Sequence, residues 1–314
     1  MNQTQCFDIL SRSSATELFF LCLCVVVGVT GAVGNGLLLV AVYKTPRLQS
    51  IAVLYLCSLS VADFIASVLV APLLINRARA PHCDYDWKET VFEKIFDFCL
   101  FQTVGASSLN LCAVNIDRYI NIKYPLHYWN IMNSKTCLWS LAVLWVTSFL
   151  VASPSLFTTG KSIEWYWILY ALAALVLPMI VIIFCSSEIL KITREQLRRI
   201  SPSLRNRHQG FAIRVRKNRK AIMTFVIITI VYLVSFTPNL ICCFIYFFTP
   251  FPKRGISMPG YFLWSELFLL TSSSLNPIIY ASRNRDFTAA FQHLYGIKAH
   301  REHRVSNQSI TPAL

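Results

Sequence analysis

Charge is scarce in this chain. Only 14% of its 314 residues are Asp, Glu, Lys or Arg, whereas 55% are apolar. Soluble domains carry about 25% charged residues, so a water-soluble fold would bury the apolar runs and then lack polar side chains for its outside. No cleavable leader is expected either. The first 17 residues are polar, and the run from Leu18 to Tyr43 is longer than a signal h-region and has no small-x-small cleavage site. That run is expected to be a true span that also directs insertion. The six histidines (His82, His127, His208, His293, His300 and His303) show no ligand spacing inside an apolar run, which argues against a metal enzyme. The two halves show no self-similarity, which argues against a secondary transporter built from repeats. Acids are few beside bases, 15 against 29, for a formal net charge of +14. In a soluble protein that excess would suggest nucleic acid. Here no nucleic-acid partner is expected, because in a membrane protein the place of each charge matters more than the sum.

What the chain does have is apolar length. Runs of about 20 residues and more are long enough to cross a hydrocarbon core about 30 Å thick. They predict spans near 18–43, 51–75, 92–122, 135–156, 163–190, 220–248 and 260–281, with the third and fifth continuing as helix beyond the bilayer. After the last span, Phe287, Phe291 and Leu294 share one face with Arg283 and Arg285 near its start, the pattern of a helix lying on the membrane surface. The expected fold is all-α: a seven-transmembrane helix bundle with a short amphipathic surface helix after the last span. The expected organisation is an extracellular N-terminus (1–17), the seven-transmembrane domain (18–281), the surface helix (282–296) and a disordered cytoplasmic tail (297–314).

Placing the N-terminus outside puts Lys44, Arg47, Arg118, Lys123, Lys135, eleven bases from Lys191 to Lys220 and five in the tail on the cytoplasmic side, 21 of the 29. That asymmetry is what the positive-inside rule demands. Asp8, Glu17, Asp84, Asp86, Glu89, Glu93, Asp97, Glu164 and Glu266 fall toward the outside. The Asn2-Gln3-Thr4 sequon lies on the side where glycosylation occurs, and the second, at Asn307, lies where it would be inert. The chain is expected to be a multi-pass protein of the plasma membrane and a glycoprotein.

Polar groups inside spans are expensive and point to function by default. Asp63 lies midway through the second span and Asn35 in the first; Ser107 on the third, with Ser272, Ser273 and Asn276 on the seventh, supply further oxygens. Singly, each fits polar glue between helices, worth roughly 0.6 kcal/mol per contact. Together they form the ligand set of a hard cation such as sodium, with Asp63, Ser107, Ser273 and Asn276 as the candidate site. Pro178, Pro238 and Pro277 interrupt the fifth, sixth and seventh spans and make hinges plausible. Asp117-Arg118-Tyr119 ends the third span, followed by Pro125-Leu126.

Across nearly the whole chain these residues resemble the rhodopsin-like (class A) G-protein-coupled receptors. Gly34-Asn35, Ala62-Asp63, Asp117-Arg118-Tyr119, Trp145 with Pro154, Pro178, Pro238 and Asn276-Pro277-x-x-Tyr280 occur once each, on successive spans. The resemblance implies that an extracellular ligand shifts a two-state bundle, that the sixth helix swings outward, and that a heterotrimeric G protein docks in the cytosolic cleft. It implies contact of Arg118 and Leu126 with the G protein, an allosteric sodium ion at Asp63, and an inward swing of Tyr280. No other cofactor is expected, and no enzymatic activity.

Several departures stand out. The family's cysteine at the outer end of the third span is replaced by Glu93, and the loop Phe157–Ile163 has no cysteine to pair with it. Cys6 and Cys83 are the candidate bridge on the oxidising side. The sixth span has Phe236 where the family has tryptophan, with Tyr232 one turn below, and Ser186 replaces a tyrosine low on the fifth. Arg214 to Lys220 contains no acid to restrain Arg118, which favours activity, whereas the missing tyrosine opposes it; modest basal signalling is expected.

For the ligand, the family's amine receptors place an aspartate where Leu100 stands, and opsins a lysine where Leu270 stands. Glu93 and Asp97 lie four apart on the outer third helix and so share a face; with Glu266 they form either a solvated helix end or an acidic rim for a cationic ligand, a peptide or calcium. Leu100, Phe236 and Asn239 complete the candidate ligand set. The acidic pair, the short loop and Tyr128-Trp129-Asn130-Ile131-Met132 are similar to melanocortin receptors, though Pro178, Asn276 and Leu73 depart from that group, which leaves the chain near a melanocortin, lipid and adenosine branch. An orphan or constitutively active receptor for a lipid or nucleoside-type ligand is the alternative. Arg194–Lys220 suits anionic lipid at about 1 kcal/mol per charge as well as it suits topology alone. Phosphorylation at Ser201, Ser203, Ser306, Ser309 and Thr311 would recruit arrestin-like partners.

Overall fold

The computed structural model describes residues 14–46, 50–79, 90–159, 161–199, 209–248 and 258–283. Seven long helices follow one another, and the described residues contain no strand. The first is Ser14–Lys44. The second runs Ile51–Ile65, widens into a π-turn over Ala66–Val70 and continues as Ala71–Arg79. The third is Val91–Lys123, and a single turn at Tyr128–Ile131 leads to the fourth, Ser134–Ala152, which tightens to a 3-10 turn at Ser153–Leu156. The fifth runs Lys161–Tyr170, a π-turn over Ala171–Val176, then Leu177–Arg199. The sixth is Gln209–Phe248 and the seventh Met258–Arg283.

Local chemistry explains the ends and irregularities. Thr90 caps the third helix, its hydroxyl accepting from the Glu93 N–H at 3.3 Å, and Asn133 caps the fourth through the Thr136 N–H at 2.9 Å. Each π-turn ends two residues before a proline, Pro72 or Pro178. A proline has no N–H for the carbonyl four residues back and its ring crowds that carbonyl, so the turn before it widens. Pro178 was expected as an interruption; Pro72 was not.

The bundle is inverted relative to a soluble core. Leu18, Val25, Val29, Val146, Ile180 and Val234 face outward, while Asn35, Asp63, Asn110, Asn115 and Asp117 are almost wholly buried. That arrangement suits lipid, which welcomes apolar side chains outside and leaves polar groups to satisfy one another inside. Among the described residues, six helices are long and apolar enough to cross a membrane. Among the described residues the seventh is more polar, because Glu266, Ser272, Ser273, Ser274 and Asn276 all turn inward. Glycines bring the first helix against the others: a Cβ on Gly34 would lie 2.7 Å from Pro277 Cγ. The close approach lets Asn35 donate to the Ser273 carbonyl at 3.0 Å.

The surface helix at 282–296, the tail, the Cys6–Cys83 pair, both sequons, the serines and threonine proposed for phosphorylation and the bases Arg205 and Arg207 lie wholly or almost wholly outside the described residues. The nine cysteines among the described residues are free thiols.

Candidate functional site

Three polar centres are stacked along the bundle. The middle one is built on Asp63, 1% exposed on the second span. Its Oδ1 accepts from the hydroxyls of Ser107 at 2.9 Å and Ser273 at 2.8 Å, and its Oδ2 from the Asn276 amide at 2.8 Å. A carboxylate from the second helix is thus held by neutral groups of the third and seventh. Ser272, also expected here, donates to the Leu269 carbonyl of its own helix at 2.7 Å. Adjacent helical positions point about 100° apart, so Ser273 and not Ser272 meets Asp63.

The second centre lies at the Thr90 end of the bundle. Glu93 and Asp97 were expected as a rim, open to a ligand or to solvent. Instead both are buried, and Arg77 of the second span sits between acids. Its Nε lies 3.0 Å from Glu93 Oε2 and its Nη1 2.7 Å from Glu266 Oε1. The guanidinium also lies 4.5 Å from the Phe96 ring centroid, where the ring's quadrupole favours a cation. The solvated, open helix end is therefore corrected: one arginine draws two carboxylates from solvent and joins the second, third and seventh helices.

Beneath this network lies a narrow cleft, with about 30 Å³ of water-accessible space, among the third, fifth, sixth and seventh spans. Of the residues expected to bind ligand, Asp97, Leu100, Asn239 and Glu266 line it. Glu93 and Phe236 do not: Glu93 is turned to Arg77, and Phe236 packs below on Tyr232 with ring centroids 4.0 Å apart. The sequence reading missed the aromatic walls, Phe101, Trp167, Tyr170 and Phe262. Their only signal was the aromatic cluster Trp165-Tyr166-Trp167 and Tyr170 in the fifth span.

The third centre lies at the Arg118 end. Asp117 is buried and its Oδ1 accepts from the Tyr128 hydroxyl at 2.8 Å, while Arg118 Nε lies 3.8 Å from Asp117 Oδ2. Burial, reinforced by the acceptor Asp117, pushes the Tyr128 phenol well above its ordinary pKa, so it stays a donor. Tyr119 packs tilted against Phe184 at 6.1 Å. Leu126 is 89% exposed, and Tyr280 is buried. Where the sequence pattern lacks a tyrosine on the fifth span, Ser186 donates to Asn115 Oδ1 at 3.2 Å and lies 3.3 Å from the Thr229 hydroxyl. Tyr232 donates to Ser108 at 2.9 Å, so third, fifth and sixth helices are tied by hydroxyls and amides. Pro238 lies inside the sixth helix and Pro277 inside the seventh, and both helices continue through them.

The family model described as "7 transmembrane receptor (rhodopsin family)" matches residues 34–280. Among curated proteins the chain is 26% identical to the histamine H2 receptor of Rattus norvegicus, across 89% of this chain and 81% of the relative. It is 26% identical to the alpha-1A adrenergic receptor of Oryzias latipes, across 90% and 69%. It is 25% identical to melanocortin receptor 4 of Danio rerio, across 89% and 83%.

Proposed function

The chain belongs to the rhodopsin family of seven-transmembrane receptors, and from that premise we propose that it reports a cationic extracellular ligand, bound in the cleft at Glu266, to heterotrimeric G proteins. That it is a multi-pass membrane receptor coupling an extracellular ligand to G proteins, and not an enzyme, follows from the family. The ligand's charge and the roles of single residues are our reading.

The observation that carries it is the charge balance of the buried outer centre. Arg77 supplies one positive charge against the carboxylates of Glu93, Asp97 and Glu266, all largely withdrawn from water. Buried charge is tolerated when paired, and Asp97 and Glu266 also line the cleft, where carboxylates favour a cationic ligand over an anionic one. Two of the relatives are named for amines, but Leu100 offers no charge at its place on the third span, so the acids one turn away and on the seventh span take that part.

At the middle centre the donor chemistry fits sodium: a buried carboxylate with hydroxyl and amide oxygens and three neutral partners. Asp63, Ser107, Ser273 and Asn276 would hold the ion, which would neutralise the carboxylate within the spans. Asp63 anchors the seventh helix through Ser273 and Asn276, and so holds Pro277 and Tyr280 in place. At the cytosolic end Asp117 holds Arg118, Tyr119 packs on the fifth helix, and exposed Leu126 meets the G protein. We place the receptor in the plasma membrane with its N-terminus outside, on the distribution of basic residues, and assign arrestin-like proteins as further partners.

Ligand-stimulated nucleotide exchange on a panel of purified G proteins tests the reading. Cationic ligands should raise exchange on at least one G protein, and Asp97→Asn with Glu266→Gln should abolish that rise. Unchanged potency in the double variant would remove the charge argument.

A further inference from the structure

Glu266 is divided between two environments. Its Oε1 accepts from Arg77 Nη1 at 2.7 Å, whereas its Oε2 is buried and has no hydrogen-bond partner among the described residues. The residue is 4% exposed and borders the narrow cleft. A charged acceptor withdrawn from water and left without a donor is unfavourable. The space beside it, about 30 Å³ of water-accessible volume, holds a water or two and no organic body. With the side chains as they stand, what fits against this oxygen is a proton delivered by water.

The surroundings single out one acid. Facing Glu266 are Arg77 of the second span, Glu93 and Asp97 of the third, Cys24 of the first, and Cys242 and Cys243 of the sixth. Tyr166 of the fifth stands near Asp97. Thiols, phenols and guanidinium keep their charge state through the acid range, where carboxylates change theirs. Glu93 Oε2 is held by Arg77 Nε at 3.0 Å. Of the buried carboxylate oxygens in this cluster, only Glu266 Oε2 is without a donor among the described residues.

We propose that this receptor senses extracellular acid, with Glu266 Oε2 as the proton-binding atom. The proton passes from hydronium to Oε2: one O–H bond breaks in the hydronium, one forms on the carboxyl, and water is released. Glu266 becomes neutral while Arg77 keeps its charge, so the second and seventh helices lose their ion-pair attraction. Arg77 stays with Glu93 on the third. Two turns along the same face of the seventh helix, Ser273 donates to Asp63 at 2.8 Å, so the release acts on the helix that closes the middle centre. This assignment rests on the receptor reading, which it narrows from any cationic ligand to the proton.

The test uses cells that express the full chain with activation reporters for a panel of G proteins, and empty-vector cells are subtracted. The bath is stepped from about pH 8 to about pH 5, a range that covers buried carboxylates. Wild-type signalling rises at least threefold on acidification. Glu266→Gln holds the residue neutral at every pH, so it gives the acid level throughout, a flat profile that a merely structural part for Glu266 would not produce. Glu93→Gln removes a neighbouring negative charge and leaves Arg77 to Glu266, so the midpoint moves toward acid by about one pH unit. This second variant serves if the first fails to fold. The atom itself is read without a G protein: infrared difference spectra of the purified receptor between the two pH values contain a protonated-carboxyl C=O band that Glu266→Gln removes. Carboxyl bands unchanged by Glu266→Gln overturn the assignment, as does a fall in signalling on acidification or a wild-type pH profile in both variants. The two readings separate in the same experiments. A Glu266 band with no response from any G protein removes the receptor coupling and leaves the site. Signalling driven by another cation at constant pH, with no Glu266 band, removes the proton site and leaves the receptor.

Discussion

Arg77 of the second span and Glu266 of the seventh meet at 2.7 Å with both side chains at most 5% exposed, and Glu93 closes the arginine's other side at 3.0 Å. Breaking a buried pair by removing one partner leaves an uncompensated charge, at a cost of about 3–5 kcal/mol. Arg77→Met keeps the length of the side chain but strands two carboxylates. It is expected to melt well below wild type in detergent, whereas Arg77→Lys, which keeps the charge and loses the planar fork, falls between. A melting temperature of Arg77→Met equal to that of wild type would show that the network contributes nothing.

Asp63 accepts three hydrogen bonds from neutral donors, and a sodium ion would add the missing positive charge. A ligand that binds only the folded state stabilises it by about 2.7 kcal/mol at a hundred times its Kd. Wild-type receptor should therefore melt higher in sodium chloride than in choline chloride at equal ionic strength. Asp63→Asn should remove the difference between the two salts. Melting curves that coincide for wild type would leave Asp63 as a purely hydrogen-bonded junction.

The fold was legible because its signal is local: an apolar run long enough to cross a bilayer announces a span without reference to anything else. Asp63 was legible for a related reason, since a carboxylate in such a run is costly wherever it faces. Arg77 was not. Its sequence neighbours show it only as one more outer base, and its partners lie on other helices, Glu266 being 189 residues away. Direction around a helix was equally hidden, so Ser272 and Ser273 looked equivalent while only Ser273 reaches Asp63. Tyr128 was read as part of a motif, and its bond to Asp117 depends on how the chain turns after Pro125.

That bond sets a third expectation. Tyr128 donates to Asp117 Oδ1 at 2.8 Å, while Arg118 Nε stands 3.8 Å from Oδ2. A hydrogen bond to a charged group contributes about 1.5–3 kcal/mol, so Tyr128→Phe should lower the melting temperature. The freed Asp117 oxygen then accepts Arg118 more closely, which holds the arginine back and lowers ligand-independent nucleotide exchange. Leu126→Ala separates coupling from folding: an exposed side chain contributes little to stability, so melting stays constant while stimulated exchange falls. Basal exchange that rises in Tyr128→Phe would reverse the assigned role of the Asp117–Tyr128 bond.

The packing of the first helix on the seventh gives a paired test in which two glycines two residues apart behave differently. A Cβ on Gly34 would stand 2.7 Å from Pro277 Cγ, nearer than carbon atoms approach, and the proline ring cannot turn aside. A Cβ on Gly36 would stand 3.5 Å from the Phe64 ring, an ordinary contact. Overpacking of this kind costs about 1–3 kcal/mol, while glycine to alanine in a helix otherwise gains about 0.5–1 kcal/mol. Gly34→Ala should therefore destabilise the receptor and stretch the bond from Asn35 to the Ser273 carbonyl, now 3.0 Å. Because Ser273 also donates to Asp63, the sodium dependence of melting should weaken with it. Gly36→Ala should melt at or above wild type and keep the full sodium response. Equal melting of the two variants would mean that the first helix can slide on the seventh, and that Pro277 is not the fixed surface its ring implies.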